Sequence, residues 1–185
     1  MLQNRSEQAI QFSTKWMVIA AFIIFLAFSI LFVPGQTRLV ETYSADLGSP
    51  DTSLFYTPAD LYHMAGTYGV EGRVAYIRAR LTFDIAFPIV YTFFLITSIS
   101  WLTNHVLEDG NEFRTANMLP LFAMLFDLLE NTCTAFVFSS YPTYKPLLSM
   151  LAPFFTLMKW ICVSSSFLFL FIVLVWYFLR RNHRK

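Results

Sequence analysis

Charged side chains are scarce in this chain of 185 residues. They make up 14% of it, against about 25% in an ordinary soluble domain. Lys and Arg (13) nearly balance Asp and Glu (12), which excludes the basic surface of a nucleic-acid-binding protein. Hydrophobic residues make up 56% of the chain, so a disordered chain is excluded as well. Too few charges remain to cover a water-soluble domain, and a membrane protein is indicated.

Cysteine and histidine are scarce too. Cys133 and Cys162 both fall inside apolar runs, whereas a disulfide framework needs pairs exposed to an oxidising compartment. The three histidines are scattered, and no Cys/His spacing matches a metal site. We therefore expect neither a disulfide nor a metal or other cofactor.

Four apolar runs are long enough to cross a bilayer, because about 20 helical residues span a hydrocarbon core of roughly 30 Å. They lie at 16–33, 81–102, 118–138 and 151–179. Backbone groups must be hydrogen-bonded in lipid, and the runs lack the alternation of barrel strands, so they are helices. The predicted fold class is all-α: a polytopic membrane protein whose single domain is a bundle of four transmembrane helices.

The distribution of Lys and Arg beside the spans predicts the orientation. A basic cluster at 180–185 directly follows span four, and an even number of spans puts both termini on that side. We expect both termini in the cytoplasm and the protein in the plasma (inner) membrane. The first run is longer than the apolar part of a usual signal peptide, which favours a retained span.

The one long connection, 34–80, should carry an amphipathic helix at about 58–68, in a loop on the outer side. Thr57 followed by Pro58 is a typical helix start, and an apolar stripe follows at helical spacing. Pro34-Gly35 should end span one, and 36–55 should be irregular. Two interpretations of the helix stay open: a helix that stabilises the bundle surface, or a lid over a pocket. The predicted mouth residues of that pocket are His63, Glu71 and Arg73.

Several ionisable residues lie inside or at the edge of the spans. At mid-bilayer, inserting one charged side chain costs at least ~2.5–3.5 kcal/mol. Within each span they share one helical face, and their depths converge on the outer half of the bilayer. The predicted cluster consists of Arg80, Asp84, Asp127, Glu130, Asn131 and Lys159, and Tyr91 extends the stripe of span two. Span one has only Ser29 as a polar residue and should face lipid.

Asp127 and Glu130 are the candidate acid/base pair of this cluster. They lie one helical turn apart, where like charges discourage simultaneous ionisation. The sequence does not distinguish which of them would carry a proton. The remaining cluster residues and Tyr91 are candidate ligand-binding groups. A purely structural alternative stays open, in which the ion pairs only fix which helices pack together.

Three segments, 56–62 (YTPADLY), 68–73 (YGVEGR) and 127–131 (DLLEN), resemble uncharacterised small bacterial four-span membrane proteins. The resemblance covers roughly residues 56–140 and implies four spans, with no activity attached. The layout is also similar, at the level of fold alone, to four-span sterol isomerases and sigma-2-type lipid-binding proteins, which hold buried acids in an amphiphile pocket.

Three functions are compatible with these features. The first is an enzyme or binding protein for a lipid-like or amphiphilic small molecule, with membrane lipid as its surroundings. The second is a proton-coupled small transporter, which with four spans would need a homodimer. The third is a non-catalytic assembly subunit whose charges pair with a partner membrane protein. The sequence favours the first.

Overall fold

The computed structural model describes residues 2–183, and its regular structure there is helical throughout. Four helical segments are long and apolar enough to cross a membrane, so the prediction of an all-α, four-span membrane protein is confirmed. The helices are α1 (Leu2–Phe12), α2 (Lys15–Tyr43), α3 (Pro58–Thr67), α4 (Gly69–Arg80), α5 (Phe83–Val106), α6 (Leu119–Ser140) and α7 (Pro146–His183), with 3-10 turns at Pro50–Thr52 and Glu112–Met118. Arg184 and Lys185 of the predicted basic cluster lie outside the described residues.

The first span does not end at Pro34-Gly35, and this prediction was wrong. α2 continues through both residues to Tyr43, so 36–43 is helical rather than irregular. A proline inside a helix removes one backbone donor, which neighbouring contacts can offset. Here the last turn of α2 packs on α4: a Cβ added at Gly72 would lie 2.9 Å from three side-chain atoms of Tyr43. This tertiary contact holds the extension of α2 in place.

Span two consists of two consecutive helices. α4 ends at Arg80, and α5 begins at Phe83 after a short break at Leu81 and Thr82. The Thr82 hydroxyl donates to the carbonyl of Arg78 at 2.7 Å and so satisfies one free carbonyl at the end of α4. The break puts Arg80 at the end of one helix and Asp84 in the first turn of the next.

The amphipathic helix α3 begins where Thr57 and Pro58 predicted, and its first turn forms a capping box. The Thr57 hydroxyl accepts from the Asp60 amide, and the Asp60 carboxylate accepts from the Thr57 amide at 2.8 Å. Its apolar face is buried in the bundle: Leu61 and Ala65 are fully inaccessible and pack in one cluster with residues of α6 and α7. α3 is therefore a cap on one end of the bundle, which we call the loop end.

The opposite end, which we call the termini end, carries a helix that the sequence did not indicate. α1 packs against α5 and the turn Glu112–Met118. Its Ser6 hydroxyl donates to the carbonyl of Arg114 at 3.1 Å, and Ile10 is 2% exposed. The guanidinium of buried Arg114 pairs with Glu7 of α1 at 3.1 Å. These contacts fix α1 across the termini end.

The bundle is asymmetric, and this asymmetry determines where a cavity forms. α6 and α7 are antiparallel neighbours in extensive contact, and α5 packs on both of them. α2 packs along α5 and the end of α4, and most of its surface is exposed. α2 and α7 approach each other through Phe25 and Phe167, whose ring centroids lie 6.4 Å apart. A gap remains between these two helices.

Candidate functional site

Lys159 of α7 lies at the centre of a buried charge cluster. Its Nζ is 2.6 Å from Oε2 of Glu130 and 2.6 Å from Oδ1 of Asp51. Oδ1 of Asp127 lies farther away, at 3.8 Å. Glu130 and Asp127 are both on α6, so one ammonium group links α7, α6 and the loop that carries Asp51.

Arg80 is the second cation of the cluster. Its Nε lies 3.0 Å from Oδ2 of Asp84, one turn later in the chain. Its Nη1 donates to Oδ1 of Asn131 at 3.0 Å and lies 3.4 Å from Oδ1 of Asp51. The guanidinium also stacks over the Tyr76 ring at 4.6 Å. Two cations, one on α4 and one on α7, therefore share the carboxylate of Asp51.

Neutral donors complete the network around Asp127. The Asn131 amide donates to Oδ1 of Asp127 at 3.0 Å and to the backbone carbonyl of Asp84 at 3.1 Å. The Tyr91 hydroxyl donates to Oδ2 of Asp127 at 3.1 Å. The structure thus brings together all six residues of the predicted cluster, and Tyr91 with them.

Asp51 is the member of the cluster that sequence analysis missed. It lies in the 3-10 turn Pro50–Thr52, and its side chain is 28% exposed. Burial raises the pKa of the Asp51 carboxyl, but Lys159 and Arg80 more than offset this and hold the pKa below its ordinary value. With Asp51 the cluster contains four carboxylates and two cations, an excess of two negative charges when all are ionised.

A cavity of about 490 Å³ reaches this cluster between α2, α5 and α7. Most of its wall is apolar, and the ionisable residues are gathered on one part of it. The lining residues are Phe25, Val33, Gln36, Thr37, Leu39, Val40, Ser49, Asp51, Thr52, Tyr76, Arg80, Phe83, Asp84, Phe87, Pro88, Tyr91, Asp127, Lys159, Trp160, Val163 and Phe167. α2, which was predicted to face lipid, supplies one wall of the cavity.

The cavity separates the two candidate acid/base residues. Asp127 is on the cavity wall, whereas Glu130 is absent from the lining and fully inaccessible. Glu130 lies behind Lys159, and its Oε1 has no hydrogen-bond partner among residues 2–183. Asn131 is also absent from the lining. A ligand in the cavity would contact Asp127 and would reach Glu130 only through Lys159.

Three neutral polar groups of cavity-lining residues lack hydrogen-bond partners within the described part of the chain. They are the hydroxyls of Ser49 and Tyr76 and the indole Nε1 of Trp160. Ser49 and Tyr76 are each 1% exposed. Each of these three atoms is itself inaccessible to a water-sized probe, so a molecule in the cavity would reach it only after a neighbouring side chain moved.

The residues predicted at the mouth of a pocket do not reach this cavity. His63 is exposed on α3, and Glu71 lines a separate open groove beside α4. Arg73 donates to the carbonyl of Ala65 at 3.0 Å and stacks on the Tyr141 ring at 4.8 Å, which ties α4 to α3 and to the end of α6. The loop residues that border the cavity are instead Ser49, Asp51 and Thr52.

Three carboxylates of the cluster have the spacing of a metal site. Ligand oxygens of Asp51, Asp127 and Glu130 lie within 4.8 Å of one another. Lys159 Nζ is within 4 Å of all three groups, so a metal ion there would have to displace this ammonium. The arrangement is that of carboxylates sharing a lysine.

Comparison with known proteins adds no assignment. No protein-family model, no curated protein and no solved structure matches this chain. The function is therefore inferred from the geometry of the cavity and the charge cluster.

Proposed function

We propose that this integral membrane protein binds a lipid-like or amphiphilic small molecule in the cavity between α2 and α7. The apolar part of the ligand lies against the aromatic wall formed by Phe25, Phe87 and Phe167, and its polar head contacts the charge cluster. In the enzymatic form of this proposal, Asp127 is the acid/base group because it lines the cavity. Glu130 then acts through Lys159.

The observation that carries the proposal is the cavity itself, because it joins an apolar chamber to a charged end. Its volume of about 490 Å³ lies within the range of roughly 300–1,000 Å³ typical of small-molecule sites. Such sites combine mostly apolar walls with a few convergent polar groups. Ion pairs that served only to fasten helices together would require no adjoining cavity.

The position of the cavity supports delivery of the ligand from the bilayer. α2 and α7 flank it, and both present most of their apolar surface outward: 6% and 11% of their most apolar windows are buried. A molecule dissolved in the hydrocarbon could enter between these two helices without crossing water.

The other two functions receive less support. Each charge of the cluster has an opposite charge within 4 Å inside the same chain, so the cluster does not require a partner's span. Nothing in the described residues specifically favours proton-coupled transport or an assembly role, and both stay predictions.

We further propose that the termini face the cytoplasm and that the loop end lies in the outer half of the plasma membrane. The support is the concentration of Lys and Arg beside the termini. A reporter that is active only in the cytoplasm should give a signal when it is fused to the C-terminus. A signal from a C-terminal reporter that is active only in the periplasm would contradict this orientation.

The test of ligand binding uses two matched substitutions on α7. Val163→Phe adds bulk inside the cavity, whereas Val175→Phe adds the same bulk at a position that is 41% exposed and outside the cavity lining. Native mass spectrometry of protein released from nanodiscs should show a bound amphiphile in the wild type and in Val175→Phe. Val163→Phe should lose at least 90% of it.

Two outcomes would contradict the proposal. One is the absence of any bound amphiphile in the wild type, even when lipid extract is added back. The other is equal retention by both variants, which would place the bound molecules on the outer surface of the bundle.

A further inference from the structure

We propose that Asp51 occupies the position of a ligand's head group, and that an amphiphile with a carboxylate head binds by replacing it between Lys159 and Arg80. This inference rests on the proposed function and adds the chemical class of the ligand. Asp51 then acts as an internal substitute that fills the site when no ligand is bound.

Asp51 differs from the other acids of the cluster in how it is held. Asp84, Asp127 and Glu130 project from helices, and each side chain is at most 10% exposed. Asp51 lies in the short 3-10 turn between α2 and α3 and is 28% exposed, so its side chain can turn away without unfolding an α-helix. The segment between α2 and α3 also contains two non-glycine residues at positive φ, Ala45 at 45° and Asp46 at 68°, a conformation that stores backbone strain.

The two cations keep their positions when Asp51 leaves. Arg80 retains Asp84 at 3.0 Å and the Asn131 amide oxygen at 3.0 Å. Lys159 retains Glu130 at 2.6 Å. The exchange of one carboxylate for another also leaves the charge of the cluster unchanged. A ligand carboxylate therefore meets a pair of cations that is already oriented, which reduces the cost of binding.

The two cations around Asp51 favour an acceptor over a donor as the head group. Lys159 Nζ lies 2.6 Å and Arg80 Nη1 3.4 Å from Oδ1 of Asp51. Both side chains are donors only. A carboxylate accepts at both oxygens and can satisfy these groups, whereas an ammonium head offers only donors. The lowered pKa of Asp51 agrees, because Lys159 and Arg80 favour a negative charge at this position although it is partly buried.

The experiment compares three amphiphiles with the same chain: dodecanoate, dodecanol and dodecylammonium. Binding to the full-length protein is measured by native mass spectrometry from detergent micelles. The variants are Asp51→Asn, which removes the competing charge, and Asp46→Asn, which removes one charge from an exposed residue of the same loop. Asparagine tolerates the positive φ at position 46, so the control keeps the loop conformation.

Dodecanoate should bind the wild type more tightly than the other two, and Asp51→Asn should tighten its binding at least tenfold. Asp46→Asn should leave it within twofold. If dodecylammonium binds tightest and Asp51→Asn weakens it, the head group is a cation and the inference is overturned while the proposed function stands. Equal binding of all three heads also overturns the inference alone, and binding of none contradicts both proposals.

A second measurement needs no variant. Hydrogen exchange of residues 49–53 in the wild type should increase when dodecanoate is bound, because the loop is released from Lys159 and Arg80. Dodecanol should leave this exchange unchanged. Increased protection of the loop with dodecanoate would overturn the exchange of carboxylates, since it would mean that Asp51 stays in place.

Discussion

Replacing Lys159 with methionine tests whether the cluster is held together by its central ammonium. Met preserves the length of the side chain and removes the charge, which leaves Glu130 without a cation within 4 Å among the described residues. Removal of one partner from a buried ion pair costs about 3–5 kcal/mol. On the scale of soluble domains of 150–250 residues, this lowers the melting temperature by about 6–20 °C. Lys145→Met is the control, since Lys145 is exposed and its loss should change stability by less than about 0.5 kcal/mol.

The charge excess also predicts how a second substitution acts. Glu130→Gln alone should cost little, because it removes one of two surplus negative charges and leaves Lys159 paired with Asp51 at 2.6 Å. The double variant Lys159→Met/Glu130→Gln no longer contains the uncompensated Glu130 carboxylate. Its loss of stability should therefore be smaller than that of Lys159→Met alone. Coupling energies of groups in contact are about 0.5–3 kcal/mol. We expect the double variant to be more stable than Lys159→Met by an amount in that range.

The assay is thermal unfolding in detergent micelles, monitored by tryptophan fluorescence. Trp160 is a suitable reporter, since Lys159 Nζ lies 5.5 Å from its ring centroid. The reasoning would be refuted if Lys159→Met lost no more stability than the Lys145→Met control, that is, less than about 0.5 kcal/mol. If the stability losses of the two single variants simply added in the double variant, the coupling between Lys159 and Glu130 would be refuted.

Two further predictions concern the elements around the site. Gly72→Ala should destabilise the protein by about 1–3 kcal/mol in thermal unfolding, because the new methyl would lie 2.9 Å from the Tyr43 side chain. Gly35→Ala, with nothing within 4 Å, should instead stabilise α2 by about 0.5–1 kcal/mol, and equal effects would contradict a tight contact at position 72. The Thr57 amide and hydroxyl lower the pKa of Asp60 from its ordinary 3.8, so the Asp60 carboxylate stabilises α3 above pH 4, and this contribution disappears as the pH falls through the lowered pKa. The difference in melting temperature between wild type and Asp60→Asn should therefore be present at pH 6 and shrink toward zero under strongly acidic conditions, and a constant difference would contradict the carboxylate's role as cap.

Helical periodicity predicted much of the charge cluster, because the bilayer limits where ionisable groups can lie. A charge in a span is costly unless it faces the bundle interior and finds a partner. Asp127, Glu130 and Asn131 share one face of α6, and Lys159 lies at a matching depth on α7. The shared face and the matching depth were sufficient to predict that these residues lie together. The start of α3 could also be predicted, because the N-cap signal of Thr57 and Pro58 is local and needs no tertiary contact.

The end of α2 and the existence of α1 could not be predicted in the same way. Pro34-Gly35 has the composition of a helix stop, yet the stop fails because Tyr43 packs on Gly72, in a helix that comes much later in the chain. α1 has few apolar residues and owes its position to contacts with the Arg114 region. Both elements depend on distant residues, and local sequence carries no record of those contacts. As a result, α2 was predicted to face lipid, and its place in the cavity wall was missed.

Asp51 shows why the predicted site was incomplete. An aspartate after Pro50 in a polar segment is an ordinary turn residue, and nothing nearby distinguishes it from exposed Asp46. The charge balance of the predicted cluster also gave no reason to expect a further acid. With three acids and two cations, a missing member should have been a cation. The structure supplies a fourth acid because Arg80 and Lys159 together present a position where a carboxylate is favoured, and the loop is long enough to reach it. An acid that joins an already acidic cluster is more easily explained as a substitute for something else that binds there than as a stabilising partner, and Asp51→Asn separates these two roles.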